Sequence, residues 1–364
     1  MTISASPSPQ QGASINHRLH TFDFARGILI VLMVLVHVLD FYGSTETHES
    51  FIGSSINLLA SWQVAAWFVF IMGMFITYTP HQPLAAGLKR AFGLFALGYV
   101  LNLTRGTIPM WLSLKNGLVT QAQLGSYTPT TEFFIVDILQ FAGIALACCL
   151  LVKHFLPHPK YWFLSAFLVT FASPFIWDVS TGWGYIDGVL KLFNGNKYQG
   201  AMFPLFPWLA YPLVGMIFGY RLRKSSNIYD FFQKSFWIGI AIIAVGLPIT
   251  ITDTDYHMAS NMRPGPGMII SLTGGALVFL WLCQRLTQGQ SANRFVSLLC
   301  FWGRNVTTYY VIQWLLVGWG LMLVGAQQLP PFAAMSAMIA VMALSHIGVV
   351  IWLKVHNIRA MKLA

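Results

Sequence analysis

The stretch Phe22-Asp23-Phe24-Ala25-Arg26-Gly27 is followed by an uninterrupted apolar run and then by His37-Val38-Leu39-Asp40. In a helix at 100° per residue, the eleven residues from Arg26 to His37 make three turns plus about 20°, so both side chains point the same way, about 16 Å apart along the axis. Asp23 and Asp40 fall within about 60° of that line. One stripe therefore carries an acid, a base, an imidazole and a second acid. Charge within a membrane span is costly and marks a site unless it snorkels to an interface, and an imidazole is well suited to take up a proton near neutral pH. Taken singly, Arg26 reads as a snorkelling anchor with Asp23 as its partner. The shared face is what favours chemistry.

The elements that must hold this stripe follow from composition. Of the 364 residues, 56% are hydrophobic and only 9% charged, against about 25% charged in an ordinary soluble domain. That excludes a water-soluble globule, and the excess apolar surface must face lipid. A transmembrane helix takes about 20 apolar residues. Apolar runs bounded by Gly, Pro or charge predict an all-α polytopic membrane bundle of about ten spans, near 22–42, 57–79, 86–103, 133–152, 161–177, 203–221, 231–251, 267–285, 296–324 and 332–353. The ninth run is long enough to begin with an interfacial turn, and Pro204, Pro207 and Pro212 interrupt the sixth. Residues 1–20, rich in Ser, Pro and Gln, read as a disordered tail, and 21–364 as a single transmembrane domain.

The formal charge of +10 sets orientation rather than nucleic-acid binding, because no basic block with interleaved aromatics lies outside the apolar runs. With ten spans, Arg105, Lys115, Lys191, Lys197 and Arg263 fall on one side, and the other sixteen of the 21 Lys and Arg residues on the opposite side. The positive-inside rule then places both termini in the cytoplasm and the loops 43–56, 105–131, 178–200 and 252–265 outside it. Cys148, Cys149, Cys283 and Cys300 lie towards the cytoplasmic ends of their spans. There they stay reduced, so neither a disulfide nor a cysteine metal site is expected.

Arg26, ten residues, then His37 on a first helix preceded by an acid resembles the signature of transmembrane acyltransferases. The surrounding RLHTFDFARGILIVLMVLVH at 18–37 is similar to the heparan-α-glucosaminide N-acetyltransferase-like bacterial membrane proteins. So are WFVFIMGMF at 67–75, DILQFAGIAL at 137–146, FPLFPWLAYPLVGMIFG at 203–219, RPGPGMI at 263–269 and GRNVTTYYVIQW at 303–314. The resemblance implies an inner-membrane enzyme that moves acetyl from cytoplasmic acetyl-CoA to a sugar amine or hydroxyl at or beyond the outer face. No metal is implied.

On that resemblance, Arg26, Arg304 and Asn305 are the expected contacts of the acyl-CoA donor. His37 is the expected general base or acetyl carrier, and Asp40 or Asp137 the acid that orients its ring. Asp137 is notable because it interrupts an apolar run. His257, Arg263 and Trp208 are candidates to line a carbohydrate site, with Trp183 and Tyr185 near them, and His346 is read as a helix-pairing residue. The alternative from another class is a secondary transporter of a small or glycan-related solute. Paired broken helices in two repeats, the usual mark of such transporters, are not visible. Gly-x-Gly-x-x-Gly, Walker, His-Glu-x-x-His and Gly-x-Ser-x-Gly motifs are also missing.

Overall fold

The computed structural model describes residues 20–363 apart from 62, 80–82, 196–199, 259, 261 and 291–292, with side chains up to residue 356. The tail expected over 1–20 lies outside the described residues except for His20. Eleven helices matter here: α1 (His20–Tyr42), α2 (Gln63–Tyr78), α3 (Leu84–Asn102), α4 (Ile138–Phe155), α5 (Pro159–Ala172), α6 (Ala210–Arg223), α7 (Ile228–Thr252), α8 (Pro266–Thr287), α9 (Arg294–Arg304), α10 (Val306–Val324) and α11 (Pro331–Leu363). The chain is an all-α polytopic bundle. Among the described residues, eight helical stretches are long and apolar enough to cross a membrane.

The expected fifth and sixth spans are the shortest. Each is a helix of 14 residues, about 21 Å at 1.5 Å per residue, and each is lengthened by a short turn, Ser173–Ile176 after α5 and Leu205–Trp208 before α6. Pro174 in the first turn, and Pro204 just before the second with Pro207 inside it, explain why regular α-helix does not run through them.

Two other spans differ from the sequence reading in ways that matter for function. The third was expected to end at 103. Instead α3 runs on through a π-helical turn, Leu103–Thr107, into Ile108–Lys115. The ninth is two helices. α9 is amphipathic, ends at Asn305, and packs across the start of α1, where Gly27 and Gly303 let the backbones at Leu299 and Asp23 approach too closely for a β-carbon. Only α10 is the spanning element.

Side chains that satisfy exposed backbone donors set several of the helix starts. Asp137 caps α4 and Gln140 completes the capping box, Asn227 caps α7, and Asn293 caps α9. α2 lies flush on α6 because Gly73 sits directly against the Pro212 backbone. α7 pairs with α8, and α3 with α4. α1 is central, touching α2, α8, α9, α10 and α11, and its apolar residues Leu29, Ile30, Val34, Val38 and Leu39 are buried.

Candidate active site

A cavity of about 870 Å³ opens between α1, α2, α3, α4 and α10. At one end it is rimmed by Asp23, Arg26, Arg90, Lys153 and Arg223. Apolar walls follow, among them Met33, Phe68, Met72, Leu94, Leu139 and Leu146, and Tyr310 stands with Ile138 beyond them. Arg26 is fixed at the basic end: it pairs with Asp23 at 2.5 Å, donates from Nε to the Phe22 carbonyl, and lies 5.0 Å over the Phe75 ring. Lys153 donates to the Ile76 carbonyl at 2.6 Å.

Beyond Tyr310 the polarity changes. The Tyr310 hydroxyl donates to Asp137 Oδ2 at 3.1 Å, and the same oxygen takes Arg105 Nη2 at 2.7 Å. Both members of this ion pair are buried, with side chains 7% and 10% exposed. Arg105 Nη2 also lies 3.4 Å from Asn102 Oδ1, and Asn102 holds the chain before α4 by donating to the Phe133 and Ile135 carbonyls. The guanidinium rests 3.8 Å over the Trp314 ring. His37 packs against that indole at 4.1 Å, and its Nδ1 lies 3.2 Å from Gln313 Oε1. An amide oxygen only accepts, so Nδ1 carries the proton and the lone pair is on Nε2. His37, Gln313, Trp314, Arg105, Asp137 and Tyr310 thus form one contiguous polar cluster that adjoins an apolar cavity through Tyr310, away from its basic rim.

Residues 18–246 match the family described as heparan-alpha-glucosaminide N-acetyltransferase, catalytic. The match covers well over half of the chain. This chain belongs to that acetyltransferase family. No individual curated protein matches it. The N-acetyltransferase match includes His37, Arg105 and Asp137, whereas Tyr310, Gln313 and Trp314 come from α10, beyond the matched residues.

Within this acetyltransferase-family chain, the residues singled out from sequence separate into two groups. Arg26 rims the cavity, and His37 and Asp137 share the cluster at its inner end. The hydrogen-bonding partner of the imidazole is Gln313, not a carboxylate. Asp40 is exposed at the far end of α1, where its backbone carbonyl accepts from Gln327. Arg304 is exposed and lines a separate cleft of about 70 Å³ with His20, Thr287 and Cys300. The Asn305 amide is spent on the Phe301 carbonyl. None of these three lines the large cavity. His346 accepts from the Trp302 indole at 3.0 Å, linking α11 to α9.

The three candidates for a sugar site tie loops together at the end opposite the basic rim. Trp208 donates to the Met262 carbonyl at 2.8 Å, Arg263 donates to Trp177 and lies 3.6 Å from Asp178, and His257 Nδ1 accepts from the Gly267 N–H at 3.2 Å. That last bond needs an unprotonated nitrogen, and burial lowers the His257 pKa, partly opposed by Asp253. A histidine lowered on folding stabilises the native state above its unfolded value of about 6.5, and that stability falls as pH drops through and below it. At pH 5.5 the Gly267 amide should exchange faster than at pH 7.5 once intrinsic rates are removed. A protection factor independent of pH would show that the imidazole does not hold this turn.

From sequence Arg90, Lys153 and Arg223 read only as orientation charges. Their convergence with Arg26 depends on how α3, α4 and α6 pack, which spacing does not reveal. From sequence Arg105 reads as a loop charge, because the third span is expected to end before it. Gln313 stands where related sequences often carry a His, a departure legible only through the resemblance, and Trp314 sits in an apolar run, where an indole gives no warning of a site.

Proposed function

We propose that this protein transfers acetyl from acetyl-CoA to the amine or hydroxyl of a carbohydrate acceptor. The observation that carries the reading is the cavity: a basic rim, an apolar passage and, one helical turn along α1 from Met33 in its wall, a histidine whose Nε2 bears the lone pair. A volume of about 870 Å³ lies within the roughly 300–1,000 Å³ of small-molecule sites. The rim offers four cations against one acid, which suits the phosphates of the donor. Acetyl-CoA, a substrate here, supplies an activated acetyl group. His37 Nε2 takes the proton from the attacking amine or hydroxyl and returns it to the departing sulfur.

By the positive-inside rule the basic end faces the cytoplasm of a bacterial cell and the acceptor arrives from the other side. The protein purified in detergent, given acetyl-labelled CoA and a panel of glucosamine-like and hydroxyl sugars, should form labelled sugar. No transfer across a broad panel would turn the reading towards a transporter.

The rim makes its own prediction. Asp23→Asn combined with Arg26→Gln, which leaves no buried charge alone, should weaken acetyl-CoA binding by about 1.5–3 kcal/mol, the worth of a hydrogen bond to a charged group. Arg304→Gln, outside the cavity, should bind as wild type does. Titration calorimetry in detergent distinguishes the two, and equal affinities would remove the donor from this cavity.

A further inference from the structure

The cluster around His37 has a surplus of donors. Arg105 spends Nη2 on Asp137 and Asn102, yet its Nε and Nη1 are buried and find no protein acceptor among the described residues. Gln313 uses Oε1 for His37, and its Nε2 is likewise buried without an acceptor. Asp137 Oδ1 takes the Ile138 N–H, Oδ2 takes Arg105 and Tyr310, and Gln140 Oε1 takes the Asp137 N–H, while the Glu132 carboxylate acts on Arg105 only through its field, beyond ion-pair distance. Buried polar groups in folded proteins are nearly all hydrogen-bonded, so several orphaned donors in one cluster beside a cavity mark the seat of a group that brings lone pairs.

The charge state of the cluster narrows the class of that group. Arg105 is already neutralised by Asp137, so a permanent anion would be buried beside a carboxylate without net attraction. An oxygen that is neutral on arrival and becomes negative during reaction gains from fixed donors without that cost. We infer that Arg105 and Gln313 donate to the acetyl carbonyl oxygen and stabilise it as an oxyanion during transfer.

This rests on the acetyl-transfer reading above. The acceptor's nitrogen or oxygen lone pair forms a bond to the carbonyl carbon, the C=O π pair moves onto the oxygen, and the acceptor's proton goes to His37 Nε2. On collapse the oxygen pair restores C=O, the C–S bond breaks with its electrons going to sulfur, and His37 returns the proton to give CoA thiol and the acetylated sugar.

Arg105→Lys keeps a cation for Asp137 but loses the planar set of donors. It should lower kcat by about 10²–10³-fold, as loss of an oxyanion donor does, with acetyl-CoA affinity unchanged. Gln313→Glu, which retains an acceptor for His37 and removes the Nε2 donor, should lower it in the same sense.

A second readout separates this role from mere support of the fold. A trifluoromethyl-ketone analogue of acetyl-CoA hydrates to a tetrahedral form and should bind wild type at least 10²-fold more tightly than the planar methyl ketone. That preference should collapse in Arg105→Lys. Should wild type transfer acetyl while the variant keeps both its rate and its preference for the tetrahedral analogue, the oxyanion assignment is overturned and the transferase reading stands. Should the variant lose affinity for both analogues equally, Arg105 serves binding or folding and the assignment is likewise overturned. Wild type without any transfer would instead end the reading beneath it.

Discussion

His37→Ala abolishes turnover while acetyl-CoA stays bound: that is the result expected if the imidazole handles the proton. The two halves of the expectation come from two ends of one helix. Arg26 and its neighbours form the basic rim of the cavity, and His37 lies three turns further along α1, about 16 Å away. Removing the ring therefore leaves the basic rim, the proposed seat of the donor's phosphates, in place. General acid–base assistance is worth about 10²–10⁴-fold, and loss of a covalent acetyl carrier would cost at least as much. Asp40→Asn supplies the comparison. Its carboxylate is on the same stripe in sequence but is exposed at the far end of α1, so kcat should stay near that of wild type. Steady-state rates for the two variants decide the matter: equal activity in His37→Ala and wild type would end the catalytic role of this histidine, and a collapse in Asp40→Asn would return the orienting role to that acid.

The first span, its stripe and the all-α bundle were legible because they rest on local periodicity and on the cost of charge in lipid. The same reasoning picked out Asp137 as an acid inside an apolar run. Arg105 has a similar setting, since Val100-Leu101 precede it and Ile108-Pro109-Met110-Trp111-Leu112 follow. Gly106 and Pro109 looked like loop punctuation, and the π-helical turn that lets α3 continue past them leaves no clear periodic trace. Two opposite charges, each costly alone in a span, stabilise one another as a pair. Asp40 misled for the reverse reason: its helical angle was right, but nothing in a single helix says where the bundle ends and solvent begins. The charges of the basic rim are legible in the sequence but their convergence is not, because convergence belongs to packing between helices far apart in sequence.

Asp137→Ala should be the most damaging single change to the fold of this site. The carboxylate does three things at once: it neutralises Arg105 at 2.7 Å, accepts from Tyr310 at 3.1 Å and caps α4 through the Ile138 N–H at 2.7 Å. A guanidinium cannot shed its proton to escape burial, so the variant keeps a cation without its ion-pair partner in a position only 7% exposed, with the more distant Glu132 carboxylate left to offset it in part. Breaking a buried pair in this way costs about 3–5 kcal/mol, and a lost N-cap adds about 1 kcal/mol. Asp137→Asn keeps the cap and the shape and should lose less. The double variant Arg105→Met with Asp137→Leu separates the cost of the orphaned charge from the value of the pair, because replacing both members by apolar residues is often neutral or stabilising. It should therefore melt well above Asp137→Ala in detergent, while remaining inactive for want of the guanidinium beside His37. If Asp137→Ala melts with wild type, the charge of Arg105 is met by another group and the ion pair does not hold α3 to α4. If the double variant is both stable and active, neither charge takes part in the chemistry at all.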